Sequence, residues 1–415
     1  MPRMKLHFSI RVQYMGVMLF LAIGIAFLMT FLLYSTSPMV NRIMGSLSLS
    51  NAEFGMISTG VLMTMVALRI PWGIAGDRYG YMTVLKISLP LIAAAALLRG
   101  FAQDFPALMA SQLLLGAGVA SILPCLPMIV REWAPHRTGF ATGLYTTGYA
   151  VGTGVALGLT PLLLEGNDWR YVLVMYSLVA MFVAVLWWSM ARSLNAGQYD
   201  PKPGEFWLLL KDKYVWALAI FMIATGGCWD TLTIWMPKVL EMKAMETSLA
   251  LILALGFISS GPLVGPLSDR VRDEGVLLGA LGMGVSLSLL GIALASGPLA
   301  LISVFLAGFF ISGTLVLILR LPAKDERLSY SGGQVVAIFS SVGNLGSIFM
   351  PMLFGYMIDL SGGYLHSFYA VTLIAFLIFF AGSCFWVGTK AVEDVVAHPL
   401  RSLAGALRRT GERRH

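Results

Sequence analysis

Residues 67–80 read Ala-Leu-Arg-Ile-Pro-Trp-Gly-Ile-Ala-Gly-Asp-Arg-Tyr-Gly, which places one arginine, Arg69, inside an apolar helix. The glycines from Gly73 onward are predicted to end that helix. Arg69 precedes Asp77 by eight residues, roughly 12 Å along a helix, so a membrane surface at Asp77 would place Arg69 near the middle of a ~30 Å hydrocarbon core. A charge at that depth is unfavourable without a partner, and it marks a candidate functional residue.

The composition is that of an integral membrane protein. Hydrophobic residues make up 58% of the 415 residues and charged residues 12%, with a mean hydropathy of +0.80. Soluble domains are roughly a quarter charged. Little of the chain is left over for a soluble domain. Twelve apolar spans are predicted, at about 12–34, 53–75, 83–102, 107–130, 139–164, 170–191, 214–237, 247–267, 275–296, 298–319, 333–358 and 366–388.

One pattern of glycine and charge occurs twice in the chain. Gly73-xxx-Asp77-Arg78-x-Gly80 returns as Gly265-xxx-Asp269-Arg270, with an offset of 192 residues between the two aspartates. A second match half a chain away indicates an internal duplication with six spans in each half. We therefore expect a six-helix bundle over 1–191, a polar linker over 192–213, a second six-helix bundle over 214–390 and a basic tail over 391–415.

Positive charge is distributed unevenly among the predicted loops. With both termini placed inside, 22 of the 28 Lys and Arg residues fall on the inner side. Arg69 lies within a span, and the outer side holds Arg42, Arg99, Arg170, Lys238 and Lys243. This asymmetry predicts a multi-pass protein of the cytoplasmic membrane with both termini in the cytoplasm. Topology thus accounts for the net charge of +7, so we expect membrane lipid and no nucleic acid as a partner.

The two Gly-xxx-Asp-Arg loops resemble the signature between the second and third helices of the major facilitator superfamily of transporters. The resemblance implies an all-α membrane protein with twelve transmembrane helices in two pseudo-symmetric six-helix bundles. It also implies a conformational latch at the cytoplasmic surface, formed by Gly73, Asp77, Arg78, Gly80, Gly265, Asp269 and Arg270. The alternative is that these residues only form turns.

The segment from Arg69 to Arg78 looks like the second helix of nitrate and nitrite porters, in which an arginine two turns before the loop binds the substrate. The resemblance implies that Arg69 binds an anion, because a guanidinium matches the oxygen atoms of carboxylate, nitrate or phosphate. Those porters carry a second arginine where this chain has Gly261. A cyanate-type or small-carboxylate porter fits equally well. The alternative is a structural arginine satisfied by a helix end or by Asp230.

Further candidates lie in other predicted spans. Asp230 is the one acid well inside a predicted span, and shielding from water favours a protonated carboxyl group, so we expect Asp230 to carry a coupling proton. The alternative is a solvated acid near the outer mouth. Tyr145, Tyr149, Trp229 and Asn344 are candidate substrate-binding residues, although Trp and Tyr are also common at membrane surfaces.

The leading functional hypothesis is secondary active transport, because no nucleotide-binding motif is present. We expect a monomer that moves a small inorganic or organic anion by symport or antiport, with no cofactor and no metal site. The second hypothesis is an efflux antiporter for lipophilic compounds, but helix 5 has Gly152-Thr153-Gly154 where that class has Gly-Pro. A sensor or an enzyme is the third, and the scattered positions of the five histidines disfavour a catalytic cluster.

Overall fold

The computed structural model describes residues 2–134, 138–193, 210–271, 274–324 and 332–411, and within these ranges the chain forms helices and no strand. The α-helices are α1 (Pro2–Tyr34), α2 (Val40–Leu47), α3 (Asn51–Tyr79), α4 (Tyr81–Gly100), α5 (Phe105–Val119), α6 (Ile122–Trp133), α7 (Thr138–Leu164), α8 (Trp169–Met190), α9 (Lys213–Met242), α10 (Leu251–Arg270), α11 (Glu274–Leu294), α12 (Gly297–Lys324), α13 (Gly332–Ser361) and α14 (Tyr364–Gly411). Short 3-10 helices, Ser37–Met39 and Thr247–Ala250, precede α2 and α10.

The described residues contain 11 segments long and apolar enough to cross a membrane. The predicted span at 247–267 corresponds to the 3-10 helix Thr247–Ala250 followed by α10, and Thr247–Ser260 of this stretch counts as a shorter apolar helix. The span predicted at 107–130 is divided, because α5 ends at Val119 and α6 begins at Ile122. The prediction of an all-α multi-pass membrane protein is confirmed.

Helix packing in the second half repeats that in the first. In the first half, α1 packs on α7, α3 on α5 and α4 on α8. In the second half, α9 packs on α13, α10 on α12 and α11 on α14. Between the halves, α3 contacts α13 and α7 contacts α10, and these two contacts are also counterparts of each other. The chain therefore forms two pseudo-symmetric six-helix bundles.

Glycine allows the closest helix contacts. A Cβ at Gly152 would lie 2.3 Å from the carbonyl oxygen of Phe27 in α1, and a Cβ at Gly346 would lie 1.9 Å from that of Ile223 in α9. Neither contact tolerates a side chain. These contacts agree with the close helix packing expected from the glycines of α7.

The helix that carries Arg69 is longer than predicted. α3 continues through Pro71 and Gly73 and ends at Tyr79, a few residues beyond the predicted span of 53–75 and directly before Gly80. Gly80, with φ of +81°, forms the one-residue turn to α4 because glycine adopts this conformation without a steric penalty.

The proposed latch is described in part. Arg78 is exposed at the end of α3, with its guanidinium carbon 5.3 Å from the ring centroid of Tyr79. The side chain of Asp77 lies outside the described residues, and for Gly265, Asp269 and Arg270 only the helical backbone is described. The latch stays a prediction, as do the limits of the four regions, since 194–209 of the linker are outside the described ranges.

Candidate functional site

Hydrogen bonds join the two halves where α1 ends and α3 begins. Asp359 of α13 accepts from the backbone nitrogens of Asn51 (3.0 Å) and Ala52 (2.7 Å) and from the Asn51 amide (2.6 Å). A carboxylate at the N-terminus of α3 also interacts favourably with the helix dipole. Lys238 of α9 donates to the Asn51 side chain, and Asn41 donates to Glu241 at 2.5 Å. We call the group Asn41, Asn51, Lys238, Glu241 and Asp359 the gate.

Aromatic packing closes the interface below the gate. Trp235 of α9 is buried with its ring centroid 5.7 Å from that of Phe54 and 5.9 Å from that of Phe354. Its indole nitrogen donates to the carbonyl oxygen of Pro351 at 2.9 Å. Residues from α3, α9 and α13 thus exclude solvent at this end of the molecule.

Asp230 lies deeper and connects the halves. Its carboxyl group is buried and accepts a hydrogen bond of 2.5 Å from the hydroxyl of Tyr34 in α1. Trp229 donates to the same Tyr34 hydroxyl at 3.0 Å, and the side chain of Ser347 in α13 also interacts with the carboxyl group. The alternative of a solvated acid at the outer mouth is therefore wrong. No sequence pattern indicated Tyr34 or Ser347 as partners, because both come from helices distant along the chain.

Arg69 is also buried at the interface, with 7% of its surface exposed. With the Asn344 amide oriented so that its oxygen faces the guanidinium, it accepts from Nη1 at 3.0 Å and from Nη2 at 3.1 Å. In the part of the chain that the structure describes, Arg69 forms no ion pair, and its Nε has no hydrogen-bond partner. The alternative in which Asp230 neutralises Arg69 is therefore wrong.

Two tyrosines of α7 extend this group. Tyr149 is partly buried and close enough to Arg69 for an electrostatic interaction. The ring of Tyr145 lies 6.2 Å from that of Tyr149 at an angle of 89°. The structure thus brings Arg69, Asn344, Tyr145 and Tyr149 together, and it places Trp229 in the other group, beside Asp230.

We call Arg69, Asn344, Tyr145 and Tyr149 the Arg69 group, and Asp230, Tyr34, Trp229 and Ser347 the Asp230 group. Positions along the helices give the depth of each group below the gate. Arg69 follows Asn51 by 18 residues and Asn344 precedes Asp359 by 15, so both lie roughly 23–27 Å below the gate along their helices. Ser347 precedes Asp359 by 12 residues, and Asp230 precedes Lys238 by 8 and Glu241 by 11, so these two lie roughly 12–18 Å below the gate and closer to it than the Arg69 group. Because Asn344 and Ser347 are three residues apart on α13, this helix connects the Arg69 group to the Asp230 group.

Arg99 is a second buried arginine, in the last turn of α4, the end that the sequence assigns to the outer side. It is fully buried, and its guanidinium donates to the carbonyl oxygen of Leu32 (2.9 Å), to the Ser35 hydroxyl (2.9 Å) and to Gln112 (3.3 Å). A cation at the end of α1 interacts favourably with the helix dipole. Arg99 therefore stabilises the end of the helix that carries Tyr34. Lys238, also assigned to the outer side, is buried in the gate.

A groove of about 580 Å³ lies elsewhere, between α3, α9, α13 and α14. Its lining is apolar and includes Met56, Ile223, Phe349 and Ile374, but none of the candidate site residues. Phe349 is 64% exposed, which is expected for a side chain that faces lipid. Within the described residues, no cluster of His, Cys, Asp and Glu could hold a metal ion.

Comparison with known proteins gives the family and the fold. A family model described as the Major Facilitator Superfamily matches residues 19–332. The chain is 23% identical to the cyanate transport protein CynX of Escherichia coli (strain K12), over 84% of this chain and 92% of that protein. It is 22% identical to the nitrite extrusion protein of Bacillus subtilis (strain 168), over 83% and 87%. A crystal structure of a bacterial homologue of the human lysosomal transporter Spinster, inward-facing and unoccupied, has a TM-score of 0.73 at 17% identity, over 90% and 98%.

Proposed function

The chain belongs to the major facilitator superfamily and is a multi-pass membrane transporter, and from this premise we propose that it carries a small inorganic or organic anion across the cytoplasmic membrane by alternating access. The observation that carries the proposal is the buried guanidinium of Arg69 between the two halves, with a neutral amide as its partner. The family consists of transporters and not of enzymes.

An anion explains how a charge is tolerated at this position. Burying an uncompensated charge is unfavourable, and a neutral amide satisfies hydrogen bonds without neutralising the charge. A bound anion would neutralise it in a site that excludes water. Substrate sites of such transporters lie at the interface between repeats, which is where Arg69 and Asn344 meet.

The similarity to other transporters supports an anionic substrate. Two relatives are named for the transport of cyanate and of nitrite, both small anions. The uneven distribution of Lys and Arg supports a cytoplasmic location for both termini.

Asp230 is the proposed site of proton coupling, with solute exchange as the alternative. The Tyr34 hydroxyl donates to its carboxyl group across the two halves. A hydrogen bond to an ionised carboxylate is stronger than one to a neutral carboxyl group. Protonation of Asp230 would thus weaken the Tyr34–Asp230 contact between the halves. Proton binding would therefore favour separation of the two halves below the gate.

Flux measurements on purified protein in proteoliposomes test the proposal. With a panel of small anions and an inward proton gradient, the wild type should accumulate at least one of them. Arg69→Gln should reduce that uptake at least tenfold, whereas Arg42→Gln, which changes an exposed arginine, should transport like the wild type. Equal uptake by Arg69→Gln and the wild type would contradict the proposal, as would a wild type that moves none of the anions.

A further inference from the structure

The guanidinium of Arg69 has two edges that can each hold a pair of acceptors. Arginine has five N–H donors in a rigid plane. Asn344 accepts one hydrogen bond from each terminal nitrogen, Nη1 and Nη2, and so occupies the end edge of the guanidinium. The side edge, formed by Nε and the neighbouring terminal nitrogen, uses different hydrogens and stays compatible with the Asn344 contact. Nε is buried, and among the residues that the structure describes it has no hydrogen-bond partner.

Arg99 provides an internal comparison for this arrangement. Its Nε also has no partner in the described part of the chain, but its terminal nitrogens donate to three acceptors, from Leu32, Ser35 and Gln112 of its own half. Within the described ranges Arg69 has a single hydrogen-bond partner, and that partner comes from the other half. The side chains beside it, Tyr149 and Asn344, are only partly buried. Arg99 thus has the environment of a structural arginine. Arg69 instead retains N–H donors at the interface between the two halves, which must separate during alternating access.

We propose that the side edge of Arg69 is the substrate contact and that the substrate is a planar oxyanion with two adjacent oxygen atoms, such as a carboxylate, nitrite or nitrate. This inference rests on the proposed function and narrows its substrate class. The two parallel N–H groups of a guanidinium edge match two oxygens bound to one atom. A linear anion such as cyanate or thiocyanate presents one terminal atom to that edge, and one donor stays unpaired.

Asn344 is then a specificity-determining residue. Its oxygen occupies the end of the guanidinium, which leaves the side edge as the place where an anion can bind. The same orientation turns the amide nitrogen of Asn344 away from the guanidinium, so that its N–H groups can donate to a bound oxyanion. Removing the amide frees the end of the guanidinium, and linear anions gain a second way to bind.

Thermal unfolding of the purified protein in detergent tests this inference. Formate, nitrite and nitrate are compared with cyanate, thiocyanate and azide at constant ionic strength. The readout for each anion is the Tm shift of the wild type minus that of Arg69→Lys, which keeps the charge but lacks the planar fork, so that general salt effects cancel. The two-oxygen anions should give a difference of several degrees, and the linear anions at the same concentration a clearly smaller one.

A second variant keeps the test decisive if Arg69→Lys does not fold. In the wild type, the Kd of the linear anions should exceed that of the two-oxygen anions by about tenfold or more, the effect of one lost charge-assisted hydrogen bond. Asn344→Ala should reduce this ratio at least threefold. Equal stabilisation of the wild type by linear and two-oxygen anions would overturn the inference and leave the proposed function intact. Stabilisation by anions that is the same with and without Arg69 would overturn both.

Discussion

The amide oxygen of Asn344 lies 3.0 Å from Nη1 and 3.1 Å from Nη2 of Arg69, and this contact joins α13 of the second half to α3 of the first. It lies roughly 23–27 Å below the gate, at a depth where a free charge is unfavourable. Because the amide is neutral, it does not compensate the positive charge of Arg69, and this distinguishes the contact from a buried ion pair.

Replacing the neutral partner by an acid should close the site. Asn344→Asp places a carboxylate where the amide oxygen now accepts two hydrogen bonds, and the resulting ion pair competes with any anion for Arg69. We expect the Tm to rise by ~2 °C or more and the affinity for the transported anion to fall at least tenfold, since charge-assisted bonds contribute about 1.5–3 kcal/mol. Thermal unfolding and uptake kinetics measure the two effects. Asn167→Asp, at an exposed position, is the control, and unchanged anion affinity in Asn344→Asp would contradict the account.

Removing the titratable group at Asp230 should separate transport from proton coupling. Asp230→Asn keeps a hydrogen-bond acceptor for Tyr34 but cannot bind or release a proton. We expect counterflow exchange of the anion to persist, whereas accumulation driven by a pH gradient is lost. Glu246→Gln, which neutralises an exposed acid near the end of the same helix, should leave both activities intact. Accumulation by Asp230→Asn as steep as that of the wild type would exclude Asp230 as the proton carrier.

Weakening the gate should expose the interface beneath it. Asp359→Asn removes the charge that accepts from Asn51 and Ala52, and loss of about 1.5 kcal/mol would shift the open population roughly tenfold. The readout is labelling of the thiol introduced by Ser58→Cys, a buried position on α3, by a membrane-impermeant maleimide. Cys384→Ser removes the exposed native thiol, while Cys125 and Cys228 are buried.

The matched control for the gate is Asp168→Asn. Asp168 caps α8 through a backbone hydrogen bond within its own half, so it resembles Asp359 without joining the halves. Its loss should leave labelling unchanged. Equal labelling rates in wild type, Asp359→Asn and Asp168→Asn would show that Asp359 does not hold the gate closed.

The fold could be predicted from local features of the sequence. The evidence was twelve apolar stretches and the repeat of Gly73-xxx-Asp77-Arg78 at Gly265. It was sufficient because both span length and duplication are visible in the order of residues along the chain. The burial of Arg69 could be predicted for the same reason. The flanking apolar residues place it within a span whatever its neighbours are.

The partners within the site could not be predicted. Hydropathy reports how deep a residue lies, but not which side of its helix faces a neighbouring helix. Arg99 and Lys238 lie near span ends and were counted as outer charges, but hydropathy could not show that both side chains are buried against neighbouring helices. The pairs Arg69–Asn344 and Tyr34–Asp230 join residues about 200 or more positions apart, and no local periodicity relates such residues.

Because α13 packs closely on α9, a single methyl group added at Gly346 should lower the stability of the protein. Gly346→Ala places a Cβ 1.9 Å from the carbonyl oxygen of Ile223, and a backbone atom cannot move aside as a flexible side chain does. We expect destabilisation of about 1–3 kcal/mol, seen as a lower Tm, and a weaker interaction of Ser347 with Asp230. Gly24→Ala, where no atom lies within 4 Å of the new methyl group, should have almost no effect. A wild-type Tm for Gly346→Ala would show that these helices are less closely packed.

The most direct test of the central claim is the affinity of purified protein for a transported anion, measured by isothermal titration calorimetry. The claim is that Arg69 compensates its buried charge by binding the substrate. Loss of a charge-assisted contact of about 2 kcal/mol predicts that Arg69→Gln raises the Kd roughly 30-fold, while Arg42→Gln leaves it unchanged. A Kd for Arg69→Gln equal to that of the wild type would contradict the claim and would make Arg69 a structural residue.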